Sequence, residues 1–207
     1  MSESITDVVQ DTAAAVLMVR PRRFASNPLT AASNAFQQFE AAPPTEQAQP
    51  AALAEFEGVV SALRAAQVEV VVVDDTDTPH TPDSIFPNNW FSTHRGGRVV
   101  LYPMQARNRR DERRLDVFEE HLPAAGFEVR EIIDLSHHER EGRFLEGTGS
   151  VVLDRHHRLA FAARSPRTHE AVVDQFVRAL DYHPVIFDAT DAAGREIYHT
   201  NVLMSVW

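Results

Sequence analysis

The chain has no cysteine in its 207 residues, which excludes disulfides and thiolate metal sites and leaves the redox compartment undecided. It also lacks a basic excess. Lys and Arg number 20 against 30 Asp and Glu, for a net charge of −10. That balance argues against a nucleic-acid groove or an anionic membrane surface as the main partner. No apolar run approaches the roughly 18 residues of a membrane span. The acidic N-terminal stretch has no basic n-region followed by an apolar h-region, so no signal peptide is read there. HExxH, phosphate-loop and GxGxxG motifs are missing. The adjacent pairs His137-His138 and His156-His157 sit in polar or turn contexts, and neighbouring side chains diverge on a strand, so no metal site is expected.

What remains is an ordinary globular composition, 43% apolar and 24% charged. It suits one cytoplasmic α/β domain with a substantial core. Residues 1–13 read as a frayed polar N-terminus, and the domain as 14–207. Arg107, Arg109, Arg110, Arg113 and Arg114 are interleaved with Asp111 and Glu112, a pattern of a solvated helix start.

A rhythm organises the chain. Ala14 to Val19 form a first apolar strand, and residues 41–50, with three prolines, form a loop or helix lead-in. Leu53, Phe56, Val60 and Leu63 have helical spacing, and Val70 to Val73 form an apolar strand stopped by Asp74. Then come Trp90 to His94 and Arg98 to Tyr102, split by the hairpin signal Arg95-Gly96-Gly97. Leu115, Phe118 and Leu122 make the next helix face, closed by Gly126, and Phe127 to Ile133 the next strand. The unit recurs as Ser150 to Leu153, Arg158 to Ala163, the helix face of Val172, Val173, Phe176, Val177 and Leu180, and the strand Val185 to Phe187. Helix-following strands begin near Val70, Val129 and Val185, a period of 59 and then 56 residues. A period this long signals a ring or array of hairpin–helix–strand units, here about three with the opening of a fourth. The apolar run Val202 to Trp207 reads as that fourth unit's strand, without a partner.

Polar residues enter the rhythm at one place. Asn88-Asn89, Glu146 and His199-Thr200-Asn201 each precede an apolar strand-like run. Units related by rotation bring such loops to one axis, which would join Asn89, Glu146 and His199. A His beside a carboxylate is a general acid/base arrangement. Gly147 and Gly149 next to Glu146 would let backbone approach a ligand closely. Each residue also has a plainer role: Glu146 as a loop charge, His199 as a satisfied core histidine, Asn88-Asn89 as turn formers.

Four segments together carry a family signature: Val16 to Pro21, Asp83 to Trp90 (Asp-Ser-Ile-Phe-Pro-Asn-Asn-Trp), Leu145 to Ser150 (Leu-Glu-Gly-Thr-Gly-Ser) and His199 to Met204 (His-Thr-Asn-Val-Leu-Met). From about Val16 to Trp207 the chain resembles the guanidino-group-modifying enzymes: arginine deiminases, dimethylarginine hydrolases and amidinotransferases. It is most similar to the citrulline-utilisation hydrolases. The resemblance implies a five-unit pentein α/β propeller with a Cys–His–Glu site at its centre and no cofactor. The cysteine attacks a guanidino or ureido carbon covalently and the His acts as acid and base. By position Glu146 and His199 match the catalytic pair. Asp83 matches the acid that holds the substrate's amino-acid end, and Arg109 and Arg167 match arginines reaching for its carboxylate. The implied partner is a small amino-acid substrate, citrulline or arginine-like.

Two departures bear on function. The family's cysteine belongs near the end of a fifth unit, so the chain is expected to be C-terminally truncated, inactive alone, and poorly stable or self-associating, as a homodimer in the mildest case. The second is chemical: Asn89 and Asn201 stand where deiminases place aspartates against a guanidinium. An amide can donate to a urea oxygen and accept from a urea N–H, whereas a carboxylate would repel that oxygen. The expected activity is C–N hydrolysis of a neutral ureido compound, citrulline to ornithine. The alternatives are an amidinotransferase on arginine-like substrates and an inactive remnant with a binding role.

Overall fold

The computed structural model describes residues 13–31, 34 and 45–206. The expected frayed stretch therefore lies outside the described residues up to position 12, as does Trp207. Among the described residues, eight strands form three separate small sheets rather than one continuous sheet.

The first sheet is β1 (Ala15–Arg20) paired in parallel with β2 (Glu69–Asp74), from Ala15 opposite Glu69 to Arg20 opposite Asp74. A helical turn α1 (Pro28–Ala31) and the long helix α2 (Thr45–Ala65) connect them. The stretch read as a loop or lead-in thus already contains helix. Pro50 is the sixth residue of α2, where its missing N–H removes one bond of the helical ladder. Phe56 and Val60 turn inward and pack on Val70, with Met18, Leu63 and Val72 around them.

The second and third sheets repeat one plan. In the second, β3 (Phe91–His94) and β4 (Arg98–Leu101) form an antiparallel hairpin, and β5 (Glu131–Asp134) returns parallel to β4. Gly96 and Gly97 turn that hairpin at φ +77° and +74°, a region that only glycine enters freely. In the third, β6 (Val151–Asp154) and β7 (Leu159–Ala163) form the hairpin and β8 (His183–Phe187) runs parallel to β7. Helix α5 (Glu170–Leu180) makes that crossover. All five residues of its apolar face are buried, Val172, Val173, Phe176, Val177 and Leu180. They meet Val100, Tyr102, Leu135, Leu145 and Ala160 in one core cluster. A second cluster gathers Val73, Trp90, Phe91, Val99, Met104 and Phe118, so each pair of adjacent sheets shares apolar contacts.

Four local expectations differ from the structure. Phe127 and Val129 lie before β5 and pack against the second core cluster instead of joining the ladder. The helix preceding them contains a π-turn at Val117–His121, followed by the short α3 (Leu122–Ala124). That wider turn shifts the face: Val117, Phe118 and Leu122 are buried, while Leu115 is 65% exposed. The arginine-rich segment is a 3-10 helix, Arg107–Glu112, but not a solvated one, because Arg109 and Glu112 are both buried and pair with each other at 2.9 Å. Finally, the run after His199 is not a strand. Asn201 sits in a 3-10 turn, Thr200–Val202, closed by the Leu203 and Met204 amides donating to the Thr200 carbonyl. The chain then continues as coil, with Val202, Leu203 and Val206 exposed. Among the described residues no helix is long and apolar enough to cross a membrane.

Candidate active site

The segments carrying Asn88, Glu146 and His199 do meet. Glu146 precedes the helical turn α4 (Gly147–Ser150), and its backbone is pinned on both sides. Its N–H donates to the Arg167 carbonyl at 3.2 Å and to Ser150 Oγ at 3.0 Å, and Ser150 Oγ donates on to the Arg167 carbonyl. His199 is held from the other direction. Thr200 Oγ1 donates to the Ser150 carbonyl at 2.6 Å and accepts from the Ala163 amide at 2.8 Å. The result is a contact of 2.9 Å between His199 Nε2 and Glu146 Oε2, across 53 residues of sequence. Glu146 is fully buried and His199 nearly so.

The electrostatics of this pair follow from its surroundings. Burial alone would push the Glu146 carboxyl up. The hydrogen bond from His199 and the charges of Arg167 and Arg109 outweigh burial and hold it at about 2. For His199, burial lowers the pKa first, and Arg167 and Arg109 add to that against the pull of Glu146, so the ring is shifted down. At neutral pH the pair is an ionised carboxylate beside a neutral imidazole. Since a carboxylate only accepts, Nε2 carries the ring proton and Nδ1 holds the free lone pair.

A cavity of about 360 Å³ opens on this pair. His199, Asn89, Arg109, Arg167 and Asp83 line it, and Asn88 and Asn201 border it as exposed residues. Glu146 is not part of the lining and stands behind His199. Asp83 is partly buried, accepts from Asn27 Nδ2 at 2.7 Å and lies 3.7 Å from Arg109 Nε. Arg109 donates to Glu112 through Nε and Nη2, both at 2.9 Å, and to Asn89 Oδ1 through Nη1 at 2.8 Å. Arg167 donates to Glu146 Oε2 at 3.2 Å and to the Thr30 carbonyl at 2.8 Å, with Tyr198 beneath its guanidinium at 4.9 Å. Both arginines therefore already hold protein carboxylates. A ligand carboxylate at either one would share the guanidinium.

Two expectations need correcting. The glycines beside Glu146 admit a neighbouring loop, not a ligand. A Cβ at Gly147 would collide with the Asn88 carbonyl, and one at Gly149 would lie 2.7 Å from both Asn89 Nδ2 and His199 Nδ1. Asn89 also has less freedom than an amide in general. Arginine only donates, so the Asn89 atom facing Arg109 must be Oδ1. Its oxygen is turned toward Arg109, and its N–H donors lie on the opposite side of the amide, toward Gly149 and His199. Asn88 ties the two loops instead, donating to Thr148 Oγ1 at 3.2 Å.

Sequence reasoning missed Glu112, Asn27 and Tyr198. Glu112 lies in a charged run that looks solvated, and Asn27 and Tyr198 carry no spacing that marks them. Among the described residues there is no cluster of three or more potential metal ligands.

The family model for N,N-dimethylarginine dimethylhydrolase, eukaryotic, matches residues 20–207. No curated protein sequence matches the chain. Among solved structures, the N-terminal domain of ArgZ, an arginine dihydrolase from the ornithine–ammonia cycle in cyanobacteria, was solved bound to substrate. It aligns with a TM-score of 0.60 at 20% identity, over 87% of this chain and 59% of that one. DDAH from Pseudomonas aeruginosa, solved as a Cys-to-Ser variant complexed with citrulline, gives 0.62 at 13% identity, over 92% and 64%. Unliganded AgrE gives 0.60 at 21% identity, over 87% and 24%. The mixed α/β fold is thus the pentein fold of these structures. The chain spans about three fifths of the length of the first two.

Proposed function

The chain belongs to the N,N-dimethylarginine dimethylhydrolase family of guanidino-modifying enzymes, and from that footing we propose that its cavity binds a ureido or guanidino amino acid for C–N hydrolysis, with citrulline the leading substrate and ornithine the product. The observation that carries this reading is the buried Glu146–His199 contact of 2.9 Å on the wall of a cavity that also presents Asp83 and Asn89. Asp83 would receive the substrate's ammonium. The Asn89 amide would donate to the ureido oxygen, and His199 Nδ1 would take and return a proton, with Glu146 stabilising the charged ring.

The nucleophile in this reading is a cysteine thiol, and the chain contains none. In the complete reaction the thiol would bond to the ureido carbon and ammonia would leave, protonated through His199. Water would then cleave the resulting thiocarbamate, releasing the amine and carbon dioxide and restoring the thiol. We therefore assign these 207 residues, with 14–207 as a partial catalytic domain, the substrate loops and the acid/base pair but not the covalent step. Self-association through the exposed Val202, Leu203 and Val206 belongs to the same reading.

The test is calorimetric titration of the chain with citrulline, paired with an assay for ornithine. Binding without turnover is expected, with binding weakened at least tenfold by Asp83→Asn. Turnover of citrulline that disappears in His199→Ala would refute the division of labour. Absence of any binding would refute the site.

A further inference from the structure

Glu112 touches nothing in the cavity, yet it is among the most buried charges in the protein, with its side chain 1% exposed. Both of its oxygens are used on Arg109, one on Nε and one on Nη2. This fork fixes the guanidinium plane. Nη2 is completed by the Asp83 and Phe86 carbonyls at 3.4 and 3.3 Å, and Nη1 is left to reach Asn89 Oδ1 at 2.8 Å. Asn89 cannot turn over while Arg109 is so held, because turning would set its amide N–H groups against a guanidinium. Its Nδ2 consequently stays on the side of Gly149 and His199, packed so closely that Gly149 has no room for a methyl group.

We propose that Glu112 is a positioning residue that sets the ligand specificity of this cavity, by holding Arg109 so that the Asn89 oxygen stays turned toward Arg109 and its N–H donors face a ligand. The proposal rests on the ureido reading above and deepens it. A ligand atom facing Asn89 must accept, which suits the carbonyl oxygen of a neutral ureido group. A guanidinium has only donors and would face donors. A buried ion pair adds little net stability, and burial raises the Glu112 carboxyl to about 7 even against the pull of Arg109. A carboxylate in so unfavourable a place is accounted for by what it orients.

The experiment measures binding of L-citrulline and L-arginine to the 207-residue chain and to two variants. Wild type is expected to prefer citrulline by about tenfold or more, the equivalent of one hydrogen bond matched against one mismatched. In Glu112→Gln the neutral amide cannot hold both guanidinium edges. Arg109 can then swing toward Asp83, Asn89 can turn, and the preference should fall to within about threefold of unity. In Asn89→Asp, with Arg109 still held, the cavity gains an acceptor and the preference should invert. A folded Glu112→Gln that keeps the full preference would show Glu112 to be structural only and overturn the inference. Should Glu112→Gln not fold, Arg109→Lys answers in its place, since a lysine cannot hold Glu112 and Asn89 together; an unchanged preference there overturns it equally. Equal binding of the two ligands by wild type overturns this inference while leaving the cavity reading intact, whereas binding of neither removes that reading and this one with it.

Discussion

Gly149→Ala should separate the site from the fold. Gly149 is buried and its backbone does not lie at positive φ, so alanine brings no conformational strain of its own. The cost comes from the new methyl group, which would lie 2.7 Å from Asn89 Nδ2, 2.7 Å from His199 Nδ1 and 2.8 Å from His199 Cε1. Comfortable contacts of this kind begin near 3.5 Å, so the neighbours must retreat by roughly 0.8 Å. Neither is free to do so. His199 is anchored to Glu146 at 2.9 Å and Asn89 to Arg109 at 2.8 Å. Stretching either anchor by that amount takes it past hydrogen-bond length. Overpacking together with one weakened charge-assisted bond should cost about 3 kcal/mol. For a chain of this size that is a drop of roughly 6–12 °C in melting temperature. The His199 ring resonances in a two-dimensional nitrogen–proton spectrum should shift with it, and citrulline binding should fall. A variant that melts within about 2 °C of wild type with unchanged His199 signals would refute the tight packing of the two loops on this glycine.

Two further outcomes test other parts of the molecule. Gly58→Ala, on the exposed face of α2 with nothing within 4 Å of the new methyl, should raise stability by about 0.5–1 kcal/mol in a urea melt, and a loss would contradict the helix there. Buried His94 is pushed down to about 3, by burial first and by Arg155, Arg98 and Arg158 after it. A lowered histidine contributes stability that is complete above about 6.5 and is lost as pH falls toward 3. Glu146 adds a loss of the same sign from about 4.5 down to about 2, while Glu112, raised to about 7, works in the opposite sense between about 4.5 and 7. His94→Gln should therefore lose less stability than wild type between pH 7 and pH 4. The shortfall should be on the order of a few kcal/mol, and parallel urea midpoints in the two proteins would count against it.

Much of the architecture was legible because apolar spacing is local. The four-valine run of β2, the hairpin glycines of β3 and β4, and the inward face of α5 announce themselves in windows of five to eleven residues. The contact between Glu146 and His199 was legible for a different reason. Glu146 and His199 sit at one place in a long repeat, and the fold turns that shared place into a contact. Burial of charge was not legible. Arg109 and Glu112 occupy a run that has the composition of a solvated surface, and only tertiary packing decides which two of those charges are enclosed. The apolar run after His199 misled for a related reason. Its composition suits a strand, but a strand needs a ladder partner, and among the described residues none pairs with it.

The buried charges around the cavity act on both members of the pair at once. Arg167 and Arg109 hold Glu146 ionised, and the same two cations oppose a charge on His199. A carboxylate alone beside a buried imidazole would favour the imidazolium, and the ring would then have no lone pair with which to take a proton. Burial does most to keep the ring neutral, and the two arginines add to it while holding the carboxylate ionised. Each of these cations lies against a buried carboxylate, Arg109 against Glu112 and Arg167 against Glu146. Arg109 and Arg167 thus add to the effect of burial on His199 as well as lining the cavity. Under the function proposed above, a change at Arg109 or Arg167 should move the protonation of His199 as well as ligand affinity.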